Sequence, residues 1–315
     1  MKSFLDHCRP VALALTALGL LGVSGVSAAA SCDRDCLKGE MDKYLAALVK
    51  HDPSSLSLAE GYKSIYNGKP SKLDTDDWKH IDKIDFHQYV MDPSTGNVAL
   101  FGVAVENYKR GTLFVRLEVK DGKLAMIETI LGDRIPDGVP GLISPNPFYD
   151  YVLPKQERRS RKELIAIADS YFEGLETHDG SKVPVSHDCR RFEDGVQTSL
   201  NPVMLPLPCN VFTPFTYMDK ISNRLYPIVD VERGLVLGQM VIEVSQAAGP
   251  PSGQSSPASS RPPINPASGM IMPPSELRGK PRHTIIHELF KVVDGKITEI
   301  QTIRMDRPYG WGGGW

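Results

Sequence analysis

The chain repeats itself, and that repeat limits what it can fold into. Tyr44 to Gly68 reads YLAALVKHDPSSLSLAEGYKSIYNG and Tyr171 to Gly195 reads YFEGLETHDGSKVPVSHDCRRFEDG. The two align without a gap, pairing Tyr44 with Tyr171, Leu48 with Leu175, His51-Asp52 with His178-Asp179 and Gly68 with Gly195. A second echo joins Asp121-Gly122-Lys123 to Asp294-Gly295-Lys296, each followed by a similar apolar strand-like run. A weaker third joins Asp92, Gly96 and Val98 to Asp230, Gly234 and Val236. Three matches in one order, within segments of domain size, imply tandem duplication of one module.

Helical spacing of Leu37, Met41, Tyr44, Leu45 and Leu48, and of Leu164, Ile167, Ala168, Tyr171 and Leu175, predicts an amphipathic helix opening each module. His-Asp followed by Pro53 or Gly180 ends it. Strands are predicted over 98–105, 112–119 and 123–131, and over 235–244, 284–293 and 296–304. Asp121-Gly122 and Asp294-Gly295 suit type I′ hairpin turns, which need positive φ. The fold class expected is α+β: two tandem cone-shaped units, each with helices packed on a curved antiparallel sheet around an apolar pocket. The first module covers 31–135 and the second 161–306, joined by a Pro- and Gly-containing connector over 136–160. Residues 246–282 are a Pro/Ser/Gly-rich insertion between two strands of the second module, read as a disordered loop or a lid, and 307–315 are a Gly/Trp tail.

The first thirty residues have a different character. Lys2 and Arg9 precede an apolar run from Val11 to Val26, closed by Ala28-Ala29-Ala30, which is the pattern of a cleaved signal peptide over 1–30. The expected location is secreted or periplasmic, with no stable membrane anchor. Without Cys8, the remaining Cys32, Cys36, Cys189 and Cys209 are an even set in an oxidising compartment. Three connectivities are open; the local one, Cys189 with Cys209 and Cys32 with Cys36, is favoured. The latter requires Cys32 to precede the helix. A net charge of -2 gives no electrostatic case for nucleic acid.

A helix ending in His-Asp, a short polar segment and a meander closing on His287-Glu288-Leu289-Phe290-Lys291-Val292-Val293-Asp294-Gly295-Lys296-Ile297 resembles the nuclear-transport-factor-2-like superfamily, in particular its SnoaL-like branch of cyclases, isomerases, dehydratases and scaffolding domains. The signal peptide, Cys32-x-Arg34-x-Cys36 and the Pro-rich insertion also resemble a family of secreted microbial proteins of unknown function. The resemblance implies one cone-shaped pocket per module and cofactor-free acid/base chemistry, in a superfamily that also holds many non-enzymes.

Several residues could carry such chemistry. His51-Asp52 and His178-Asp179 could be dyads, but neighbours on a helix do not face each other, and a His at a helix C-terminus caps it. His283 and His287 share one face of a strand about 13 Å apart, too far for one metal. His287 is the expected acid or base pointing into the cone, since its counterpart in the first module is Phe114, a core-type residue. The alternative is a hydrogen-bonded or exposed strand histidine. Glu193, Asp230 and Tyr226 are its expected catalytic partners; Arg190, Arg191 and His283 are the expected substrate-binding residues. Asp74, Asp76 and Asp77 lack the Gly and closing Glu of a calcium loop, and no zinc signature or phosphate loop is present, so no metal or cofactor is expected. The function expected is a lyase, dehydratase or isomerase acting on a small sugar-like or aromatic molecule. The competing reading is a small-molecule binding protein without turnover. A homodimer is compatible with either.

Overall fold

The computed structural model describes residues 32–73, 76–106, 108–134, 146–201, 207–244, 277 and 280–315. The segment read as a signal peptide, nearly all of the stretch read as an insertion over 246–282 and the start of the segment read as a connector lie outside the described residues.

Helix α1 (Arg34–Lys50) begins at Asp33, whose side chain accepts from the Cys36 amide and so satisfies one of the otherwise unpaired N–H groups of the first turn. Cys32 precedes that cap, which lets it bond to Cys36. A short helix α2 (Pro147–Asp150) precedes α3 (Arg161–Thr177), which is closed at its start by a capping box between Ser160 and Glu163. His51 and His178 each terminate their helix in the left-handed conformation, with their amides on the carbonyls one turn back. Asp52 and Asp179 then accept from the Ser54 and Ser181 amides. The repeated His-Asp is thus a helix stop.

Each long helix is followed by a six-stranded sheet. The first holds β1 (Leu58–Tyr66), β2 (Lys69–Pro70), β3 (Ile81–Asp92), β4 (Asn97–Glu106), β5 (Lys109–Lys120) and β6 (Lys123–Arg134), in the order β2-β1-β6-β5-β4-β3. The second holds β7 (Val185–Glu193), β8 (Val196–Gln197), β9 (Lys220–Asp230), β10 (Leu235–Val244), β11 (Arg282–Val293) and β12 (Lys296–Pro308), ordered β8-β7-β12-β11-β10-β9. The sequence echoes fall on equivalent turns. Asp121-Gly122 and Asp294-Gly295 have positive φ at both residues, as do Asn67-Gly68 and Asp194-Gly195 in the β1–β2 and β7–β8 hairpins. Gly96 and Gly234, also at positive φ, close the third echo: an added Cβ would lie 2.3 Å from the Val119 carbonyl oxygen in one case and 2.2 Å from that of Val292 in the other.

The structure departs from the expected unit in two respects. The sheets are mixed, because β1 runs parallel to β6 and β7 parallel to β12. A crossover from the end of β1 to the far side of the meander brings the chain back in the same direction, and the segment read as a polar stretch is itself a strand. Each sheet also carries one long helix, not several.

Side chains sort onto three cores. One lies between α1 and its sheet, with Leu37, Met41, Tyr44, Leu48, Trp78, Leu100 and Val115. A second lies between α3 and its sheet, with Leu164, Tyr171, Phe172, Phe212, Met240, Ile286 and Phe290. The third joins the faces of the two sheets that point away from their helices, with Phe101, Phe114, Ile130, Ile228, Leu237, Leu289 and Ile303. Strands buried on both faces lose polar alternation and read as continuous apolar runs, as β4 and β10 do. No described helix is long and apolar enough to cross a membrane.

Candidate functional site

Alternation along β11 decides which side chains can meet a pocket. Ile286 and Phe290 pack toward α3, whereas Leu289 packs against the other sheet. Glu288 therefore faces the cone, and His287 faces the seam between the sheets. This corrects the expectation that His287 points into the cone. The histidine is fully buried, its Nε2 lies 2.8 Å from Glu128 Oε1 of the first sheet, and its ring packs on Phe114 at 4.0 Å between centroids, tilted by 36°. Gln239 Nε2 donates to Glu128 Oε2 at 2.8 Å, and Arg116 Nε to the same oxygen at 3.0 Å. Burial pushes the Glu128 carboxyl up, but His287, Arg116 and Gln239 more than offset it and hold the group at about 2. His287, aligned with Phe114 in the sequence, is part of the joint between the sheets.

A cavity does lie under α3, lined on one side by Leu175, Phe215, Met218, Met240, Ile242 and Ile286 and at its floor by Tyr171, Arg191, Glu193, Glu288 and Thr302. The space open to the centre of a water molecule is about 20 Å³, enough for a group the size of one or two waters. Strand register builds the floor: Glu288 stands opposite Thr302 across β11–β12, and Thr302 opposite Glu193 across β12–β7. Thr302 Oγ1 donates to Glu288 Oε1 at 2.9 Å. Arg191 donates through Nε to Thr198 Oγ1 at 2.9 Å and through Nη1 to the Tyr171 hydroxyl at 3.0 Å, and its Nε lies 4.0 Å from Glu193 Oε1. Among the described residues neither Glu193 Oε2 nor Glu288 Oε2 has a hydrogen-bond partner, although both are buried. Burial raises the Glu288 carboxyl to about 7, with Glu193 adding to the rise and Thr302 and Arg191 opposing it.

The first half shows what this row looks like without the charges. There Val115, Thr129 and Tyr66 occupy the register of Glu288, Thr302 and Glu193, and Ser64 that of Arg191. Tyr44, the counterpart of Tyr171, bonds Thr129 directly at 2.8 Å. The second sheet thus carries Arg191, Glu193 and Glu288 where the first carries Ser64, Tyr66 and Val115.

The other expected site residues lie elsewhere. Asp230 is held by a two-pronged Arg34 contact, 2.7 Å on each oxygen, and caps the β9–β10 turn through the Arg233 amide. Tyr226 is on the cone side but donates to Asp169 Oδ1 at 2.6 Å and stacks near Phe172, outside the cavity lining. Arg190, one residue from Arg191 and so on the opposite face, pairs with Glu299. His283 bonds the Trp311 carbonyl and packs on Tyr309, in the tail. Only Glu193 and Arg191 of the expected set line the cavity. Glu288, Thr302 and Tyr171 were not assigned to it; the same count back from Asp294-Gly295 that marked His287 against Phe114 also marks Glu288 against Val115. Cys189 is bonded to Cys209. Within the described residues no group of three or more His, Cys, Asp or Glu could hold a metal.

A family model described as a domain of unknown function, DUF8021, matches residues 157–304, the segment from the start of α3 to β12. No curated protein matches the chain. Solved structures similar to it include a protein of unknown function with a cystatin-like fold from Methylobium petroleophilum (10% identity, 34% of this chain and 83% of that one, TM-score 0.29). A de novo designed protein with the nuclear-transport-factor-2 fold is similar over 31% of this chain and 85% of that one, at 15% identity and TM-score 0.24. A phenazine biosynthesis-related protein from Pseudomonas aeruginosa is similar over 30% of this chain and 79% of that one, at 12% identity and TM-score 0.23.

Proposed function

We propose that the chain is an exported tandem duplication of one α+β module, in which the second copy is a cofactor-independent proton-transfer enzyme: a lyase, dehydratase or isomerase acting on a small organic molecule. The observation that carries this reading is the Glu288 carboxyl, buried at the floor of a cavity beside Glu193 and raised to about 7. A carboxyl titrating there can give or take a proton near neutrality, and general acid/base catalysis by one positioned group contributes about a hundredfold to ten-thousandfold in rate. Glu288 is the acid in this reading. Glu193, paired with Arg191, is the base, and Tyr171 positions Arg191. Export is supported by the two disulfides together with the N-terminal sequence pattern.

The test is a metabolite library read by thermal shift on the full chain and on Glu288→Gln. Compounds that stabilise the first and not the second are then incubated with the protein and followed by mass spectrometry for loss of water or for an isomeric product. Turnover that survives Glu288→Gln sinks the assignment. Binding without turnover in the wild type leaves a small-molecule binding protein.

A further inference from the structure

The cavity floor leaves two carboxyl oxygens unpaired, and these point to the ligand's chemistry. Three of its donors serve neighbours within the floor: Thr302 Oγ1 donates to Glu288 Oε1, Arg191 Nε to Thr198 and Arg191 Nη1 to the Tyr171 hydroxyl. What remains without a partner among the described residues is one oxygen on each of two buried carboxyl groups, Glu193 Oε2 and Glu288 Oε2. A buried acceptor left unpaired forfeits the hydrogen bonds it had in water, so a ligand offering donors to these two oxygens recovers them. A carboxylate offers no donor to either oxygen.

We infer that this cavity takes a small cationic donor head, a protonated primary or secondary amine, whose charge-assisted N–H groups reach Glu193 and Glu288 where Met218, Met240 and Ile286 complete the wall. The proposal rests on this cavity being the working site. It also changes the role of Arg191 from the expected substrate-binding residue to one that fixes Glu193. Volume agrees with the head: about 20 Å³ open to water centres suits an ammonium or methylammonium group.

Met218 and Met240 report on occupancy, because both line the cavity. The full chain labelled at the methionine methyl groups is titrated by NMR with methylammonium, methanol and acetate at matched ionic strength. Methylammonium is expected to shift the Met218 and Met240 signals at concentrations at least tenfold below methanol, with acetate moving neither, and Glu193→Gln is expected to weaken the amine at least tenfold. Acetate shifting the same two signals as well as the amine would overturn the cationic ligand while leaving the cavity as the site. If none of the three probes shifts them, the proposal and the cavity reading fail together. Retention of full amine affinity in both Glu193→Gln and Glu288→Gln also overturns the proposal, whatever the stability of either variant.

Discussion

At the residue scale, Glu288 carries a cost that its surroundings set. Its carboxyl is raised in the folded protein to about 7 from an ordinary value of 4.5. The folded state therefore holds the proton more tightly than the unfolded chain does. The stability this confers is complete below about pH 4.5 and is lost as pH rises through 7, because the buried group must then ionise. A shift of this size corresponds to a few kcal/mol. Glu288→Val, which installs the residue of Val115, is expected to flatten the fall in stability between pH 5 and 8 and to raise stability at pH 8, measured by denaturant unfolding. Unchanged pH dependence in the variant would show that the carboxyl is not the source. Glu128 has the opposite sign. Held at about 2, it contributes stability that is present above pH 4.5 and lost as pH falls toward 2. Glu128→Gln is expected to weaken the protein at neutral pH and to remove that share of acid sensitivity.

At the scale of elements, β11 separates two jobs by one residue. His287→Ala is expected to lower stability by about 3 to 5 kcal/mol, because it leaves Glu128 buried with one partner fewer. It is expected to leave the binding of a cone ligand intact, since the side chain is on the other face. Calorimetric unfolding and ligand titration on the one variant separate these outcomes. Much of this architecture could be read in the sequence: the helix starts and stops, six of the strands, the Asp-Gly hairpins and the local cysteine pairs follow from spacing and turn chemistry. The face of β11 could not. Ile285, Ile286, Leu289 and Phe290 put apolar residues on both sides of the strand, so alternation offers no clue to which side is the cone. Nor could β1 and β7, whose parallel pairing depends on partners about sixty and about a hundred and ten residues later, which local pattern does not encode.

At the scale of the molecule, the parts are joined at several independent points. Arg34 crosses to Asp230 and Glu232, Arg161 to Asp92, and Lys291 holds the Tyr151 carbonyl after α2. The tail contributes too: Lys69 sits over the Trp311 ring at 3.3 Å, and Trp315 reaches the His287 ring at 5.6 Å. The Cys189–Cys209 bond ties β7, which supplies Arg191 and Glu193, to the segment before β9. Cys189→Ala with Cys209→Ala is expected to cost about 2 to 4 kcal/mol. Because β7 anchors half of the cavity floor, the double variant is also expected to weaken ligand binding, and thermal shift with and without ligand measures both effects. Labelling of the unfolded, unreduced protein is expected to find no free thiol at residues 32, 36, 189 or 209.

The contact of Phe114 with His287 has a consequence for how such a chain can change over time. Counterpart positions meet each other across the seam, so a second molecule offering its β11 face to another β11 face would set histidine against histidine with no carboxylate between them. The fit is thus coded as a pair of unlike surfaces, one bearing Arg116 and Glu128, the other Gln239 and His287. Among descendants of this sequence, positions 128, 239 and 287 are expected to vary as a set: loss of the acid at 128 is expected to coincide with apolar residues at 239 and 287, as at Phe101 and Phe114 opposite them. An alignment in which these three columns drift independently would show that the joint tolerates mismatch.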